Sequence, residues 1–285
     1  MNIGFIGLGI MGESMCENIV KKHDGDVFVF DFNEAQVDKL VGVGAKKCAN
    51  STEVAKNSDV IISMVPKSEH SKAVYDEVAK VTDSSKICID MSTIDPSVSV
   101  EISKMVKATG AQFADAPVVK SKPAAIAGKL GIFVGCDEEL YDKILPILSY
   151  MGENIKRLGE NGAGLVMKIC HNALVSQIQN GVNEMLVLAG KNGIDIPTFA
   201  ECVSFGGGQN FYLDSKKDAL AAEDYTTAFS VQNEYKDIGI CLNLAKECGV
   251  KVPGEENAMK VYEAAMEKGY GPEDWIATYK VVRDL

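Results

Sequence analysis

Met1-Asn2-Ile3-Gly4-Phe5-Ile6-Gly7-Leu8-Gly9-Ile10-Met11-Gly12 begins the chain, and this stretch decides the fold. The apolar run over 2–6 reads as a strand and the amphipathic pattern over 10–22 as a helix. Between them Gly7, Gly9 and Gly12 form G-x-G-x-x-G, the spacing that gives a tight strand-to-helix turn, close backbone approach to a pyrophosphate and close helix packing. The free N–H groups and positive dipole end of the helix favour phosphate at that turn. Downstream, Val27-Phe28-Val29-Phe30 reads as a second strand, and it ends in Asp31, where a carboxylate accepts from the hydroxyls of an adenine ribose. Gly7, Leu8, Gly9, Ile10, Met11, Gly12, Asp31 and the neighbouring Asn33 are therefore the first candidate cofactor contacts. A 2′-phosphate beside Asp31 meets like charge, and Phe32 and Asn33 supply no guanidinium to offset it, so NAD is expected in preference to NADP.

Outward from this unit, apolar runs at 2–6, 26–30, 60–65, 86–90, 111–115 and 130–134 predict strands, with weaker ones near 45–48 and 155–158. Helical patterns alternate with them at about 10–22, 33–43, 67–81, 95–109 and 137–150, several opened by an N-cap such as Asn33, Ser68 or Asp137. That alternation predicts an α/β fold, a doubly wound Rossmann-type parallel sheet, over 1–161. Beyond Gly164 it stops. Residues 164–190 form one long helical pattern, followed by further helices broken at Gly206-Gly207-Gly208, Gly249 to Gly254 and Gly269 to Pro272, so 162–285 reads as an all-α C-terminal domain. Lys168, Asn172, Ser176, Gln179 and Asn183 recur every three or four residues along the long helix and share one face, a polar stripe expected to line a cleft or an interface.

Composition narrows the function classes. Of 285 residues, 46% are hydrophobic and 24% charged, which excludes a disordered or fibrous chain. Forty acidic against 29 basic residues give a charge of −11, a balance that disfavours nucleic acid and anionic membrane as partners. No apolar run approaches the ~20 residues that span a bilayer. The N-terminus lacks a basic signal-peptide region, and the eight cysteines are scattered without a Cys-x-x-Cys pair, so a reducing, cytoplasmic setting is expected. His23, His70 and His171 have no metal-ligand spacing, and no metal site is expected.

These residues, with three further motifs, identify a resemblance to the β-hydroxyacid dehydrogenase family, the group that includes 3-hydroxyisobutyrate dehydrogenase. Gly7-Leu8-Gly9-Ile10-Met11-Gly12-Glu13-Ser14-Met15 is similar to that family's extended nucleotide motif. Asp115-Ala116-Pro117-Val118, continuing through Ala125, Gly128 and Leu130, resembles its substrate loop. Gly162-Ala163-Gly164 followed by Lys168 and Asn172 resembles its catalytic motif, and Lys236-Asp237 its C-terminal Lys-Asp pair. The resemblance implies hydride transfer between a nicotinamide and the hydroxyl or carbonyl carbon of a short 3-hydroxyacid or semialdehyde. It also implies that Lys168 is the general acid and base, that Asn172 and Phe229 are at the substrate, that Met64-Val65-Pro66, Thr93, Lys236 and Asp237 are at the cofactor, and that the enzyme is a homodimer or homotetramer. A lysine serves as proton carrier near neutral pH only if its reference pKa of about 10.4 is lowered by desolvation or a neighbouring cation, a part that Lys236 could take.

Two departures from the family pattern matter. Where its substrate loop continues Ser-Gly-Gly, this chain has Val119-Lys120-Ser121, which replaces a glycine-lined anion pocket by one carrying a cation and a shifted hydroxyl. That change is expected to suit a substrate with a second anionic group, and Lys120-Ser121 is similar to the basic-then-hydroxyl pair of the sulfolactaldehyde reductases. Second, Lys168-x-x-His171-Asn172 resembles 6-phosphogluconate dehydrogenase, but Val175 stands where that family has a proton-donating glutamate, so oxidative decarboxylation is disfavoured. A non-catalytic NAD-binding sensor with the same fold is the alternative from another class, and the presence of Lys168, Asn172 and Lys236 argues against it.

Overall fold

Parallel pairing of the apolar runs organises the first part of the chain. In the computed structural model, which describes residues 1–285, nine strands form one sheet. They are β1 (Ile3–Ile6), β2 (Val27–Phe30), β3 (Lys46–Lys47), β4 (Val60–Ser63), β5 (Ile87–Asp90), β6 (Gln112–Asp115), β7 (Val118–Val119), β8 (Leu130–Gly135) and β9 (Gly152–Gly159). Their order is β3-β2-β1-β4-β5-β6-β8-β7, with β9 on β8. The strands from β3 to β6 are all parallel, and the antiparallel pairings are those of β8 with β6 and β7. The chain winds outward from β1 in both directions, so the switch point, where ligands bind in open α/β sheets, lies at the carboxyl ends of β1 and β4.

Helices α1 (Gly12–Lys22), α2 (Glu34–Gly42), α3 (Ser51–Asn57), α4 (Ser68–Val78), α5 (Pro96–Lys107), α6 (Lys122–Ile126) and α7 (Glu138–Leu148) connect these strands. Strand alternation divides the core into two faces. Ile3, Phe5, Val60 and Ile62 pack with Met15 and Ile19 of α1 and Leu140 and Ile144 of α7. Ile6 and Ile61 point the other way, among Val54 of α3, Tyr75 of α4 and Ile102 of α5. Burying each such side chain contributes about 1.5–3 kcal/mol, which is why short runs such as Ile3–Ile6 suffice as strands.

Predicted strands and helices recur with shifted ends, and three short elements are new. Helix α3 is not among the predicted helices, although its N-cap is legible in Asn50-Ser51-Thr52-Glu53: Asn50 accepts from the Glu53 N–H (2.9 Å), while the Glu53 side chain accepts from the N–H of Ala49, just before the cap (2.6 Å). The five-residue α6 and two-residue β7 carry too little periodicity to be read. Asn33 and Asp137 cap α2 and α7 as expected. Ser68 does not cap α4: Lys67 occupies that position, and Ser68 Oγ accepts from the Asp95 N–H instead (3.1 Å).

Two compact units make up the chain, Met1–Lys168 and Ile169–Leu285. Helix α8 (Ala163–Lys191) begins in the first and continues into the second, which is otherwise built of α9 (Ile196–Val203), α10 (Phe211–Ala221), α11 (Val231–Glu247), α12 (Pro253–Glu267), a 3₁₀ turn over Trp275–Ala277 and α13 (Thr278–Arg283). Of the two expected settings, a cleft or an interface, the polar stripe of α8 from Ser176 onward takes the second: it is buried against the second unit's own helices. Ser176 donates to Glu255 of α12 (2.8 Å), and Gln179 donates to the Trp275 carbonyl (2.9 Å) and accepts from Tyr262. Asn183 donates to Thr278 (3.1 Å) and accepts from Tyr212 (3.2 Å). A helix can bury polar groups when each finds a partner, and the partners come from elements 29 to 96 residues away.

Glu255 is fully buried, accepting from Ser176 and Gln177 through Oε2, while Oε1 has no partner. Desolvation pushes its carboxyl up to about 7. Because the folded value lies above the unfolded glutamate's ~4.3, this group's contribution to stability is present below ~4.3 and is lost as pH rises through about 7. Glu255→Gln is therefore expected to flatten the fall in unfolding free energy between pH 4.5 and 8 by on the order of 3 kcal/mol and to be the more stable protein at pH 8. Urea titrations across that range check this; an equally steep variant would contradict it.

Candidate active site

The turn after β1 is shaped for a phosphate. Gly7 has φ +94°, and a Cβ there would stand 2.3 Å from the Met64 carbonyl oxygen. A Cβ on Gly12 would stand 2.1 Å from the Gly7 carbonyl oxygen, so neither position admits a side chain, whereas Gly9 has nothing within 4 Å. Close packing on two sides and open space on the third is what a bound pyrophosphate requires. Met11 caps α1 without a side-chain hydrogen bond, so no side chain competes for the helix N-terminus. Asp31, at the end of β2, accepts from the Leu8 N–H (2.6 Å) and the Asn33 N–H (2.7 Å), which fixes its carboxylate beside the glycine turn. Exposed Asn33 and Phe32 flank it. These residues fit a dinucleotide.

The turns after β4 and β5 are tied together by a buried network. Ser63 donates to Asp90 (3.0 Å) and shares a hydrogen bond with Tyr75 (2.8 Å); Asp90 also accepts from the Ser92 N–H (3.0 Å). Ser92 Oγ in turn accepts from the Val65 N–H (2.8 Å). Met64-Val65-Pro66 and Thr93 are thereby held at the same carboxyl edge of the sheet as the glycine turn. Burial raises the Asp90 carboxyl above the usual aspartate range. Neither Asp90 nor Ser63 was singled out from sequence, because a polar residue at a strand end reads equally well as a turn former.

Asp115, at the end of β6, joins two motifs that lie apart in sequence. It accepts from the Gly162 N–H (2.6 Å), the Leu165 N–H (2.9 Å) and the Asn161 side chain (2.8 Å), and so caps the start of α8. Glycine at 135 and 164 makes room for it, since a Cβ at either would stand 2.3 and 2.8 Å from its carboxylate oxygens. Desolvation pushes this carboxyl up to about 6, against the downward pull of the Gly162 and Leu165 N–H groups. Lys168 follows one turn later and is only 8% exposed. An exposed lysine with its stem along the helix is therefore not what the fold contains.

Beyond Pro117, Val118 and Val119 pair with Ile132 and Gly131 of β8, and Val119 packs where a Gly131 Cβ would stand 2.5 Å away. Lys120 adopts φ +76°. Its amine, expected from sequence to meet an anionic group of the substrate, donates here to the Lys129 carbonyl (2.8 Å) and pairs with Glu153 (3.2 Å). Ser121 is exposed at the start of α6, with no capping hydrogen bond from its side chain.

Within the second unit, Asn172 donates to Asp237 Oδ2 (2.7 Å), and Asp237 Oδ1 pairs with Lys236 (2.8 Å). His171 Nδ1 lies 3.1 Å from Asn172 Oδ1. The Lys-Asp motif thus orients the asparagine of α8. Phe229 is half-buried, edge-on to Trp275, with its N–H on Asp274 (3.2 Å). No group of His, Cys, Asp and Glu is arranged to hold a metal ion, and all eight cysteines are free. No helix is long and apolar enough to cross a membrane.

Similarity to known proteins extends over the whole chain. Residues 2–159 match the NAD binding domain of 6-phosphogluconate dehydrogenase, and residues 162–282 the NAD-binding domain of NADP-dependent 3-hydroxyisobutyrate dehydrogenase. A 2-(hydroxymethyl)glutarate dehydrogenase from Eubacterium barkeri is 33% identical over 285 residues, 99% of this chain and 94% of that one. Mitochondrial 3-hydroxyisobutyrate dehydrogenase of Drosophila melanogaster is 34% identical over 99% of this chain and 89% of its own. Among solved structures, 3-hydroxyisobutyrate dehydrogenase of Mycobacterium tuberculosis, described with L-serine, superposes with a TM-score of 0.91 at 26% identity, covering 99% of each chain. With both parts of its length matched and full-length relatives above 30% identity, the chain belongs to the β-hydroxyacid dehydrogenase family.

Proposed function

We propose that this chain is an NAD-dependent dehydrogenase that moves a hydride between the nicotinamide and the hydroxyl-bearing carbon of a short 3-hydroxyacid, or in reverse reduces the matching semialdehyde. The observation that carries the reading is the burial of Lys168 one turn after the Asp115 cap. In the oxidation, Lys168 Nζ takes the hydroxyl proton as the C–H bond gives up its electron pair, leaving a carbonyl; in the reduction it returns that proton. When bound, the nicotinamide supplies the two-electron acceptor or donor. Asn172, one helical turn on and held by Asp237, orients the substrate oxygen. The backbone of Val119, Lys120 and Ser121 receives the substrate's carboxylate, with Phe229 also at the substrate. Gly7 to Gly12, Asp31, Asn33, Met64-Val65-Pro66, Thr93, Lys236 and Asp237 serve the cofactor. With the Lys120 amine on Glu153, a substrate bearing a single carboxylate is preferred in this reading over a sulfonated or otherwise dianionic one.

The same reading includes a homo-oligomer, supported by the exposed apolar residues Leu174, Met185 and Leu188 along α8, and a cytoplasmic setting, supported by the free thiols. The test is a panel of 3-hydroxyisobutyrate, L-serine, 2-(hydroxymethyl)glutarate, succinic semialdehyde and sulfolactaldehyde, followed at 340 nm with both cofactors while light scattering gives the mass in solution. Turnover of a carboxylate substrate, in a particle at least twice 30.6 kDa, is expected. No nicotinamide-linked turnover with any of the five would refute the reading.

Cofactor choice is tested separately. With Asp31 fixed by Leu8 and Asn33, kcat/KM with NAD is expected to exceed that with NADP by about tenfold or more, one such repulsion amounting to about 1.4 kcal/mol. Asp31→Asn should narrow the gap, and a preference that survives it unchanged would assign the discrimination elsewhere.

A further inference from the structure

Lys120 stands on backbone that favours glycine: its φ of +76° lies in the left-handed region. What holds it there is visible. The chain leaves β7 at Val119, makes the short helix α6 and returns at Leu130 into β8, and the Lys120 amine ties both ends of that excursion together by donating to the Lys129 carbonyl (2.8 Å). The same amine reaches Glu153 (3.2 Å). The ladder between β8 and β9 is irregular at that point, with Leu130 opposite Gly152 but Gly131 opposite Asn154, so Glu153 is the extra residue of a bulge. Bulges re-aim side chains, and this one directs a carboxylate at Lys120. Elsewhere α6 is held by Asn18 of α1, which donates to the carbonyls of Ala125 (2.8 Å) and Ile126 (3.2 Å). The start of the loop, where the backbone is least comfortable, depends on the lysine.

We propose that Lys120 is a positioning residue for the substrate loop: its amine, clasped between the Lys129 carbonyl and the bulged Glu153, holds residues 119–121 in the conformation that receives the substrate's carboxylate and does not itself touch the substrate. This rests on the reading of that loop as the acid-binding segment. The clasp explains how a lysine occupies a left-handed position and why a second cation-binding group on the substrate is not required. It also predicts an asymmetry between two small replacements. Lys120→Ala loses the clasp and keeps the conformational penalty, whereas Lys120→Gly loses the clasp and the penalty together.

The experiment compares Lys120→Ala, Lys120→Gly and Glu153→Gln by hydrogen exchange over residues 118–129 and by steady-state kinetics with the panel substrate of highest kcat/KM. Lys120→Ala and Glu153→Gln are expected to exchange faster over that segment and to raise KM for the acid about three- to tenfold with kcat within about twofold, as for the loss of one partly exposed ion pair and its backbone support. Lys120→Gly is expected to recover part of that loss, its KM lying between those of Lys120→Ala and the parent. Three results would overturn the proposal. Unchanged exchange in Lys120→Ala removes the clasp. A KM in Lys120→Gly as poor as in Lys120→Ala, with Glu153→Gln neutral, puts the amine on the substrate. Faster exchange with no change in KM leaves the clasp but shows that this loop does not bind the acid, an outcome distinct from a parent enzyme that turns over nothing in the panel.

Discussion

One buried carboxylate organises the chemistry of this chain. Asp115 ends the central sheet's β6 and accepts the N–H groups of Gly162 and Leu165, so the start of α8 is held to the sheet by hydrogen bonds at 2.6 and 2.9 Å rather than by apolar contact alone. A helix cap contributes about 0.5–2 kcal/mol, and here desolvation opposes part of it, as the raised Asp115 carboxyl records. The arrangement leaves no room for error in size: Gly135 and Gly164 crowd the carboxylate so closely that a methyl group at either would displace it. Stability is therefore not what this cap maximises. It fixes the first turn of α8, and the buried Lys168 follows one turn later.

The far part of α8 is fixed by the same kind of interaction. Ser176, Gln179 and Asn183 hydrogen-bond to α12, to the 3₁₀ turn and to α10 and α13 of the second unit, and the partners are directional where leucines would slide. Asn172 belongs to this set through Asp237 and Lys236. Polar contacts along its length thus fix the rotation of this part of α8 within the second unit, Asn172 included. The cost is a partly unsatisfied carboxylate at Glu255, an accommodation that ties the second unit's stability to pH.

The parts of this architecture legible in sequence were those that a local rule dictates. Gly7 and Gly12 are demanded by backbone contacts made within a few residues or a neighbouring strand, and Asn33 and Asp137 cap helices that start beside them. What could not be read was where a side chain spends its hydrogen bond. Ser68 looked like a cap but serves Asp95, the α8 stripe fitted a cleft or an interface equally and meets α10, α12 and α13, and the Lys120 amine, whose residue type names no partner, meets Glu153. In each case the partner is distant in the chain or sits on an irregular strand, and residue type alone fits either destination. The Asp115 cap falls between: Asp115-Ala116-Pro117-Val118 and Gly162-Ala163-Gly164 stood out separately, and only the fold shows that one carboxylate joins them.

The most direct test of this account is chemical rescue. Removing the amine in Lys168→Ala is expected to lower the single-turnover rate of hydride transfer by about 10²–10⁴, the span of general acid–base catalysis, while NAD binding measured by nicotinamide fluorescence stays the same. Added methylamine or ethylamine should then restore the rate saturably. A variant that transfers hydride as fast as the parent, or one that loses cofactor affinity in proportion to rate and gains nothing from amines, would contradict the assignment of the proton to Lys168.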